Sequence, residues 1–408
     1  SLLSKALHFF VAIRTTMQAP TRIAIVGAGC SGSSCAWQLA QCTEMPLTVT
    51  VFDMARGVGG RAATRKSRDS RDLSVTHGAY ALYVQEHSPL VSALRDRKDI
   101  VRWSSTMGKL NADGRPEQIE NYFGTDLVYA SAGGMSSVVQ AIFDMANVEV
   151  RCDTRISAFK PLTGPRGGWE LFDSKGASVG EFDWLVVTST NLASPRWTSL
   201  FGDEPPLQVA AELSGSPQLA AAVASLKGVE YDSMHVVMLT WALPEAEDGE
   251  VLENLKKLPF DVVEPVGDEV LARVIRQSVE PPFAVVVLHS TDAFSQLHKH
   301  VFGSGGNMAR MVASGYEGEA DAGWAMQCAF SRLMARLGGV SPPLTMKPLL
   351  HRWGSCCPVK GRILDVPAMV LPEVQVAFAG DHFGASTASM EMALNSGLFA
   401  AKRIVESI

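Results

Sequence analysis

Residues 22–32 read RIAIVGAGCSG, and this stretch decides the fold of the chain. Four of its first five residues are apolar, which predicts a short, fully buried strand. The strand runs into a G-x-G-x-x-G turn formed by Gly27, Gly29 and Gly32. We expect Gly27 to permit the tight turn, Gly29 to let the backbone approach a pyrophosphate group, and Gly32 to let the following helix pack against the strand.

The residues after the turn complete a nucleotide-binding unit. Residues 33–41 carry apolar side chains at helical spacing, and the β-branched run 47–52 predicts a second strand. Asp53 follows that strand, where a carboxylate accepts hydrogen bonds from an adenosine ribose and disfavours a 2′-phosphate. The helix N-terminus, which begins near Cys30 and Ser31, offers unpaired N–H groups to phosphates. Strand, turn, helix, strand and acid in this order predict a dinucleotide-binding domain.

A second glycine-rich turn follows Asp53 within eight residues and favours FAD over NAD. Residues 56–61 read RGVGGR, and their backbone N–H groups and guanidinium groups offer a second approach to the pyrophosphate. A plain NAD-binding unit has no need of this turn. A solvated basic loop is the alternative, and it suits residues 65–72 better. The predicted FAD contacts in this region are Met54, Arg56, Gly59, Gly60 and Arg61.

With these motifs, the chain resembles the flavoprotein superfamily of amine oxidases, protoporphyrinogen oxidases and phytoene desaturases, and within it the renalase-type branch. Three further segments carry the resemblance: THGA at 76–79, YASAGGMSS at 129–137, and FAGD at 378–381 with the apolar helix that follows it. The resemblance implies that the Gly-Asp turn reaches the FAD pyrophosphate and ribityl chain. It also implies that the N-terminus of the last helix faces the flavin ring, where its dipole stabilises negative charge.

The resemblance assigns further cofactor contacts residue by residue. These are His77, Gly78, Ala79, Ile156, Gly380, Asp381, Met390 and Glu391. The chain departs from the family at Thr76, which replaces an acid, and at Tyr80, where a polar residue is common. What those two side chains do for the flavin is therefore open.

The predicted fold is α/β, with a Rossmann-type FAD-binding domain and an inserted α+β substrate domain. We expect the FAD-binding domain to be discontinuous, over residues 21–88, 129–190 and 345–408. The substrate domain is predicted over residues 89–128 and 191–344.

Local patterns give further elements of both domains. Strands are expected over 149–155 and 374–379, and in the substrate domain over 236–241 and 284–288, where β-branched and apolar residues cluster. An amphipathic helix is expected over 324–337, closed by two glycines.

Residues 1–20 contain three basic side chains and no acid, so they predict either a tail or an organellar targeting segment. The seven cysteines are an odd number and favour reduced thiols in an intracellular compartment, cytoplasmic or organellar. The adjacent Cys356 and Cys357 bridge only with strain, so a redox dithiol is the minor interpretation of that pair.

Composition excludes several classes of protein. The 408 residues carry a formal net charge of −6, which disfavours nucleic-acid binding. No apolar run reaches the ~18–20 residues that span a bilayer. The spacing of cysteines and histidines predicts no metal site, and no hydrolase motif is present.

The predicted active site lies in the crevice between the two domains. We expect His289 and Trp353 to line it, although a hydrogen-bonded strand-end histidine and a core tryptophan are the plainer alternatives. The resemblance implies an oxidase that takes a hydride from a dihydronicotinamide and passes electrons to molecular oxygen. Such a small-molecule substrate needs no side-chain base. The alternatives are an amine oxidase or desaturase acting on a small amine or a polyene, and a flavin-binding module without turnover.

Overall fold

The structure is a computed structural model that describes residues 19–67, 73–84, 88–98, 100–125, 128–131, 133–243, 249–303, 317–384 and 389–408. The predicted tail lies outside these residues, apart from Ala19 and Pro20. The described residues form both strands and helices, and the predicted α/β class is confirmed.

The strands belong to five sheets. They are β1 Thr21–Val26, β2 Leu47–Phe52, β3 Thr64–Lys66, β4 Ser74–Thr76, β5 Leu82–Tyr83, β6 Ile100–Arg102, β7 Met107–Leu110, β8 Pro116–Gln118, β9 Val128–Ser131, β10 Glu149–Arg151, β11 Ile156–Pro161, β12 Trp169–Asp173, β13 Ser178–Phe182, β14 Trp184–Val187, β15 Tyr231–Ala242, β16 Val262–Pro265, β17 Leu271–Glu280, β18 Phe283–Ser290, β19 Leu349–Pro358, β20 Met369–Leu371 and β21 Val376–Phe378.

The helices pack on the two larger sheets. They are α1 Cys30–Ala40, α2 Pro89–Arg95, α3 Met135–Ala146, α4 Arg196–Phe201, α5 Pro206–Ser214, α6 Pro217–Lys227, α7 Gly249–Leu255, α8 Asp292–Leu297, α9 Glu319–Arg336 and α10 Met390–Val405.

The first large sheet has six strands in the order β10-β2-β1-β14-β21-β20. All neighbours are parallel except the edge pair β20 and β21. Because side chains alternate along a strand, Ile23 and Ile25 pack under α1, α3 and α10, while Ala24 and Val26 pack against α5, α6 and the small sheet β11–β13. The sheet is therefore buried on both faces, as a doubly wound fold requires.

Helix α10 lies directly on α1, so the first and last helices that the structure describes pack together. A Cβ on Gly397 would lie 2.1 Å from the carbonyl oxygen of Ser31, so the two backbones touch. The Ser34 hydroxyl also donates a hydrogen bond to the carbonyl of Leu394 at 2.8 Å. These contacts place the middle of α10, around Leu394 and Gly397, against the first turns of α1.

The second large sheet has seven strands in the order β19-β15-β18-β17-β16-β7-β8. Its outer face packs on α9 through residues such as Leu239, Val286 and Phe330. Its inner face, which includes Met238 and Val287, turns toward the six-stranded sheet. The Gln277 amide joins the two units, since it accepts a hydrogen bond from the Thr76 N–H at 3.0 Å and donates one to the Thr76 carbonyl.

The packing divides the chain differently from the predicted domain boundaries. Helix α2, predicted in the substrate domain, packs in the core of the six-stranded sheet through Leu90 and Leu94. Helices α5 and α6 pack on the other face of the same sheet. Strand β19, predicted in the FAD-binding domain, is the edge strand of the seven-stranded sheet. The predicted boundaries followed chain order, whereas the apolar faces of these elements decide where they pack.

Several predicted elements have different bounds, and two of these differences have a visible backbone cause. The strand expected over 149–155 is shortened to β10, Glu149–Arg151, because Asp153 has a φ of 55°, and β11 begins only at Ile156. The strand expected over 374–379 is shortened to β21, since Gln375 has a φ of 55°. Helix α9 begins five residues earlier than expected and ends at Arg336, with Leu337 as its C-cap.

Candidate cofactor and active site

A cavity of about 1560 Å³ lies between the two large sheets, at the carboxyl ends of β1, β2 and β14. Ligands bind at such edges in open α/β sheets because the strand order reverses there. Of the residues that the sequence predicted for cofactor and substrate, all but Gly32 and Glu391 line this cavity. Their individual roles stay predictions, but the structure brings them to one place.

Gly32 has a packing role, as its position in the motif predicts. A Cβ there would lie 1.9 Å from the carbonyl oxygen of Gly27, so only glycine lets α1 approach the strand this closely. Gly27 itself has a φ of +117°, a conformation that favours glycine. These contacts hold the start of α1 against the end of β1.

Gly29 differs from its neighbours because a side chain there would enter open space. The nearest atom to a Cβ on Gly29 is the Cα of Gly60, at 3.9 Å. The second glycine-rich turn is held opposite by a hydrogen bond from the Gly59 N–H to the Ala28 carbonyl at 2.9 Å. Helix α1 has no side-chain cap and no acid in its first turn. Two glycine turns and an uncapped helix start therefore form a cradle that suits a pyrophosphate.

Asp53, for which the sequence predicts a ribose contact, also accepts two backbone hydrogen bonds. Its Oδ2 accepts a hydrogen bond from the Ala28 N–H at 2.7 Å, and its Oδ1 accepts one from the Ala55 N–H at 2.7 Å. Burial raises the pKa of this carboxyl group, and the two N–H donors oppose the rise. The carboxylate thus ties together the turns that follow β1 and β2 while lining the cavity.

Arg61 and Asp381, which the sequence assigns separately to the cofactor, are partners of each other. Two hydrogen bonds of 2.6 Å join the guanidinium to both carboxylate oxygens. Arg61 Nη1 also donates to the Cys356 carbonyl at 2.8 Å. Burial lowers the pKa of Arg61, but the Asp381 carboxylate outweighs it and the net shift is upward. We expected the Arg61 guanidinium to be free to bind a phosphate. Three of its five N–H donors are instead engaged in hydrogen bonds within the protein.

Three rings form a cluster on the side of the cavity next to the seven-stranded sheet. His77 and Trp353 are stacked, with centroids 5.2 Å apart and an interplanar angle of 19°. His351 packs edge-on against both rings, at 4.8 Å and 4.2 Å. The Trp353 Nε1–H donates a hydrogen bond to the His77 carbonyl at 3.0 Å, which fixes the indole orientation. The cluster presents flat ring surfaces to a ligand.

Buried nitrogens beside these rings have no hydrogen-bond partner among the described residues. They are Nδ1 of His77 and both ring nitrogens of His289, and both residues line the cavity. Buried polar atoms in native proteins are nearly always paired, with protein, water or ligand. These nitrogens are therefore available to a bound molecule, and the plainer alternative of a hydrogen-bonded strand-end histidine does not describe His289.

Burial keeps these histidines neutral and links them to stability. It lowers the pKa of His77 to about 4 and that of His289 to about 3, below the value of ~6.5 of an unfolded chain. Between those values the unfolded chain binds more protons, so the unfolding free energy is intact above pH ~6.5 and falls as the pH drops toward 4. We expect His289→Gln to remove the uptake of about one proton on unfolding. The unfolding free energy should then fall less steeply with decreasing pH, by ~1.4 kcal/mol per pH unit below pH ~6.

Urea unfolding at a series of pH values measures this slope directly. The matched control is Leu297→Gln, because Leu297 is 75% exposed and does not titrate, so its replacement should leave the slope unchanged. An equal slope in wild type and His289→Gln would contradict the burial of a neutral imidazole at this position.

The cavity is positively charged although the whole chain is negative. Its lining includes nine basic side chains and two acidic ones, Asp53 and Asp381. The basic residues are Arg56, Arg61, Arg65, Lys66, Arg155, Arg196, Arg273, Lys347 and Arg352. Such a concentration of charge in a chain of net charge −6 attracts anionic ligands.

Several cavity residues were not predicted. Thr188 to Asn191 follow the parallel strand β14, and the rule that ligands bind at carboxyl ends would have found them. Met234, Met238 and Arg273 lie on long strands of the seven-stranded sheet, where no sequence signal shows which face meets the cavity. His351 stands two residues before Trp353, so the alternation of a strand would have paired the two.

Two further observations bear on function. No helix in the part of the chain that the structure describes is long and apolar enough to cross a membrane. Across the described ranges, no three side chains of metal-binding type come together.

Known proteins resemble this chain both in sequence and in fold. The family model of the NAD(P)-binding Rossmann-like domain matches residues 25–97. Solved structures with the same fold include a protein assigned as a protoporphyrinogen oxidase from Exiguobacterium sp. 255-15, with a TM-score of 0.58 and 13% identity over 96% of this chain and 99% of that one. A redesigned double mutant of putrescine oxidase has a TM-score of 0.58 and 11% identity over 95% and 99%.

The chain thus contains a Rossmann-like domain of the NAD(P)-binding family, within an overall fold that these two oxidases share. More particularly, the chain is similar to mouse renalase, with 26% identity over 192 residues, which are 45% of this chain. The match spans about half of the mouse protein's length, at 50%.

Proposed function

We propose that the protein is an FAD-dependent oxidoreductase. The observation that carries the proposal is the cradle around Gly29, which a Cβ would fill, facing a second glycine-rich turn and an uncapped helix start. The similarity to renalase and the fold shared with two oxidases support it. FAD would supply the two-electron chemistry, and the protein would bind and orient the reactants.

The chain offers contacts for each part of FAD. The turns around Gly29 and Gly60 would hold the pyrophosphate, and Asp53 keeps acceptor capacity on both oxygens for the adenosine ribose. The Gly380-Asp381 turn and the start of α10 would lie along the ribityl chain and the flavin. We infer non-covalent binding, because the sequence has no cysteine in the segment before α10. Residues 385–388 of that segment lie outside the described residues.

We propose a dihydronicotinamide as the substrate and molecular oxygen as the electron acceptor. The basic lining suits a substrate that bears phosphates, and the stacked His77 and Trp353 rings suit a planar ring. The cavity's two carboxylates are both held by hydrogen bonds on the side of the six-stranded sheet. A dihydronicotinamide needs no side-chain base, since its own nitrogen lone pair drives the hydride out. The protein's part is then to hold the donor carbon ~3–3.5 Å from the acceptor atom.

The excess of basic side chains argues against an amine substrate. An amine is protonated in solution, and the excess of basic over acidic side chains in the lining, nine against two, would disfavour its entry. A desaturase acting on a polyene would need a long apolar channel, whereas this cavity carries eleven ionisable side chains of the Arg, Lys and Asp types. A dihydronicotinamide is therefore the better choice among the three substrates.

Anaerobic mixing tests the substrate. The purified protein should be yellow and release free FAD on denaturation. We expect 2- or 6-dihydro isomers of NAD(P)H to bleach the flavin absorbance rapidly, and readmitted oxygen to restore it. Rapid bleaching by an amine but by no dihydronicotinamide would overturn the substrate, while a colourless protein that FAD cannot reconstitute would overturn the function itself. A yellow protein that no reductant bleaches would indicate a flavin-binding module without turnover.

A further inference from the structure

The edge strand β19 ends with two neighbouring thiols that the proposed reaction does not use. The Sγ atoms of Cys356 and Cys357 are 3.7 Å apart, and both residues line the cavity. Neighbouring side chains of a regular strand point to opposite faces, which would keep two such sulfurs apart. Here the pairing of β19 with β15 shifts register between Asp232 and Met234, and this irregularity lets the two sulfurs meet.

The pair is accessible and has the environment of a reactive thiol. Cys357 is exposed and Cys356 is half-buried. Contact with the Cys356 thiol lowers the pKa of Cys357 to about 7, with burial opposing the shift and the Arg61 guanidinium adding to it. The same contact, together with burial, raises the pKa of Cys356. The lowered pKa of Cys357 favours its nucleophilic thiolate form, and the raised pKa of Cys356 favours its protonated form.

We propose that Cys356 and Cys357 form a reversible two-electron redox site, which hydrogen peroxide oxidises to a disulfide between adjacent residues. The Cys357 thiolate attacks peroxide, forms a sulfenic acid and releases hydroxide. The Cys356 thiol then attacks the sulfenic sulfur, the S–S bond forms and water leaves. The proton that Cys357 lost on ionisation converts the hydroxide to a second water. Two thiols are oxidised and one peroxide is reduced.

Strain makes this disulfide easy to reduce again. Adjacent Cα atoms are ~3.8 Å apart across a trans peptide, below the usual ~4.4–6.8 Å of disulfides. Strained disulfides have more oxidising potentials and are the labile, regulatory kind. The source of peroxide rests on the proposed function, in which oxygen accepts two electrons in this cavity. The dithiol chemistry does not rest on it.

Oxidation of the two thiols would affect the cofactor cradle through the backbone carbonyl of Cys356. The Cys356 carbonyl accepts a hydrogen bond from Arg61, which in turn holds Asp381. Closing a small ring through the Cys356–Cys357 peptide moves that carbonyl. Losing one hydrogen bond of this kind weakens a binding constant by about 3- to 10-fold. We expect oxidation to weaken the binding of FAD by about that factor.

Peroxide added to the purified protein, followed by alkylation of free thiols and peptide mass analysis, tests the site. We expect the peptide that carries Cys356 and Cys357 to escape alkylation and to be lighter by about 2 Da, the two hydrogens lost. Dithiothreitol should restore both thiols. In Cys356→Ser, the remaining Cys357 should instead form a sulfenic acid that dimedone traps.

The control variant is Cys152→Ser, because Cys152 is half-buried and lies outside the cavity lining. It should leave the reaction at residues 356 and 357 unchanged. Recovery of both thiols in alkylated form while Cys42 or Cys152 is oxidised would overturn the proposal, as would a disulfide to another cysteine or another chain. Oxidation by added peroxide supports the site whether or not the protein turns over a dihydronicotinamide, so its failure is distinct from failure of the proposed function.

Discussion

Replacing Gly29 by valine is expected to leave the protein folded but at least about 100-fold weaker in binding FAD, a loss of ~2.8 kcal/mol. The backbone there is extended, with φ −88° and ψ −165°, so valine adopts it without strain. The added Cβ would meet only the Gly60 backbone, at 3.9 Å, and the rest of the valine side chain would occupy the cradle. Titration of apoprotein with FAD, followed by flavin fluorescence, measures the affinity.

The control for this substitution is Gly164→Val, in an exposed loop with no atom within 4 Å of the added Cβ. Both variants should keep the unfolding free energy of the apoprotein within ~0.5 kcal/mol of wild type. Wild-type affinity for FAD in Gly29→Val would show that no cofactor group occupies the space above this turn.

Replacing Asp381 by asparagine is expected to reduce both stability and FAD binding. Arg61 would lose its only bidentate carboxylate partner among the described residues and remain partly buried. Removing one partner of a fully buried pair costs ~3–5 kcal/mol. The Arg61 side chain keeps 36% of its surface exposed, so solvent reduces the expected loss to ~1–3 kcal/mol.

A double-mutant cycle with Arg61→Gln, by urea unfolding of the apoprotein, separates this pair from its surroundings. We expect a coupling energy of ~1–2 kcal/mol. The exposed pair Glu149–Arg151 provides the matched control, and Glu149→Gln should cost less than ~0.5 kcal/mol. A coupling energy of zero between Arg61 and Asp381 would mean that the pair does not hold the two turns together.

The nucleotide-binding unit could be predicted from the sequence because its physics is local. Gly27, Gly29 and Gly32 act within one turn, and the strands on either side follow from runs of apolar residues. The resemblance extended the assignment to His77 and Met390, which the fold then brings to the same cavity. In these regions the neighbouring residues in the chain decide the structure.

The contacts that were missed join distant parts of the chain. Arg61 and Asp381 are 320 positions apart, so no spacing rule predicts that they bind each other rather than a phosphate. The second hydrogen bond of Asp53 depends on where the turn after β1 lies. The irregular pairing that brings the Cys356 and Cys357 sulfurs together arises from tertiary pairing with β15. Such features follow from packing, which a single sequence does not encode in any periodicity.

The Gln277 amide described above bonds to both backbone groups of Thr76, in the way that a neighbouring strand would. The Thr76 amide proton therefore exchanges with solvent only when this contact between β4 and β17 opens, through movement of either strand or of the Gln277 side chain. That proton becomes a natural reporter in hydrogen-exchange experiments. Its protection measures how often this contact between the units opens.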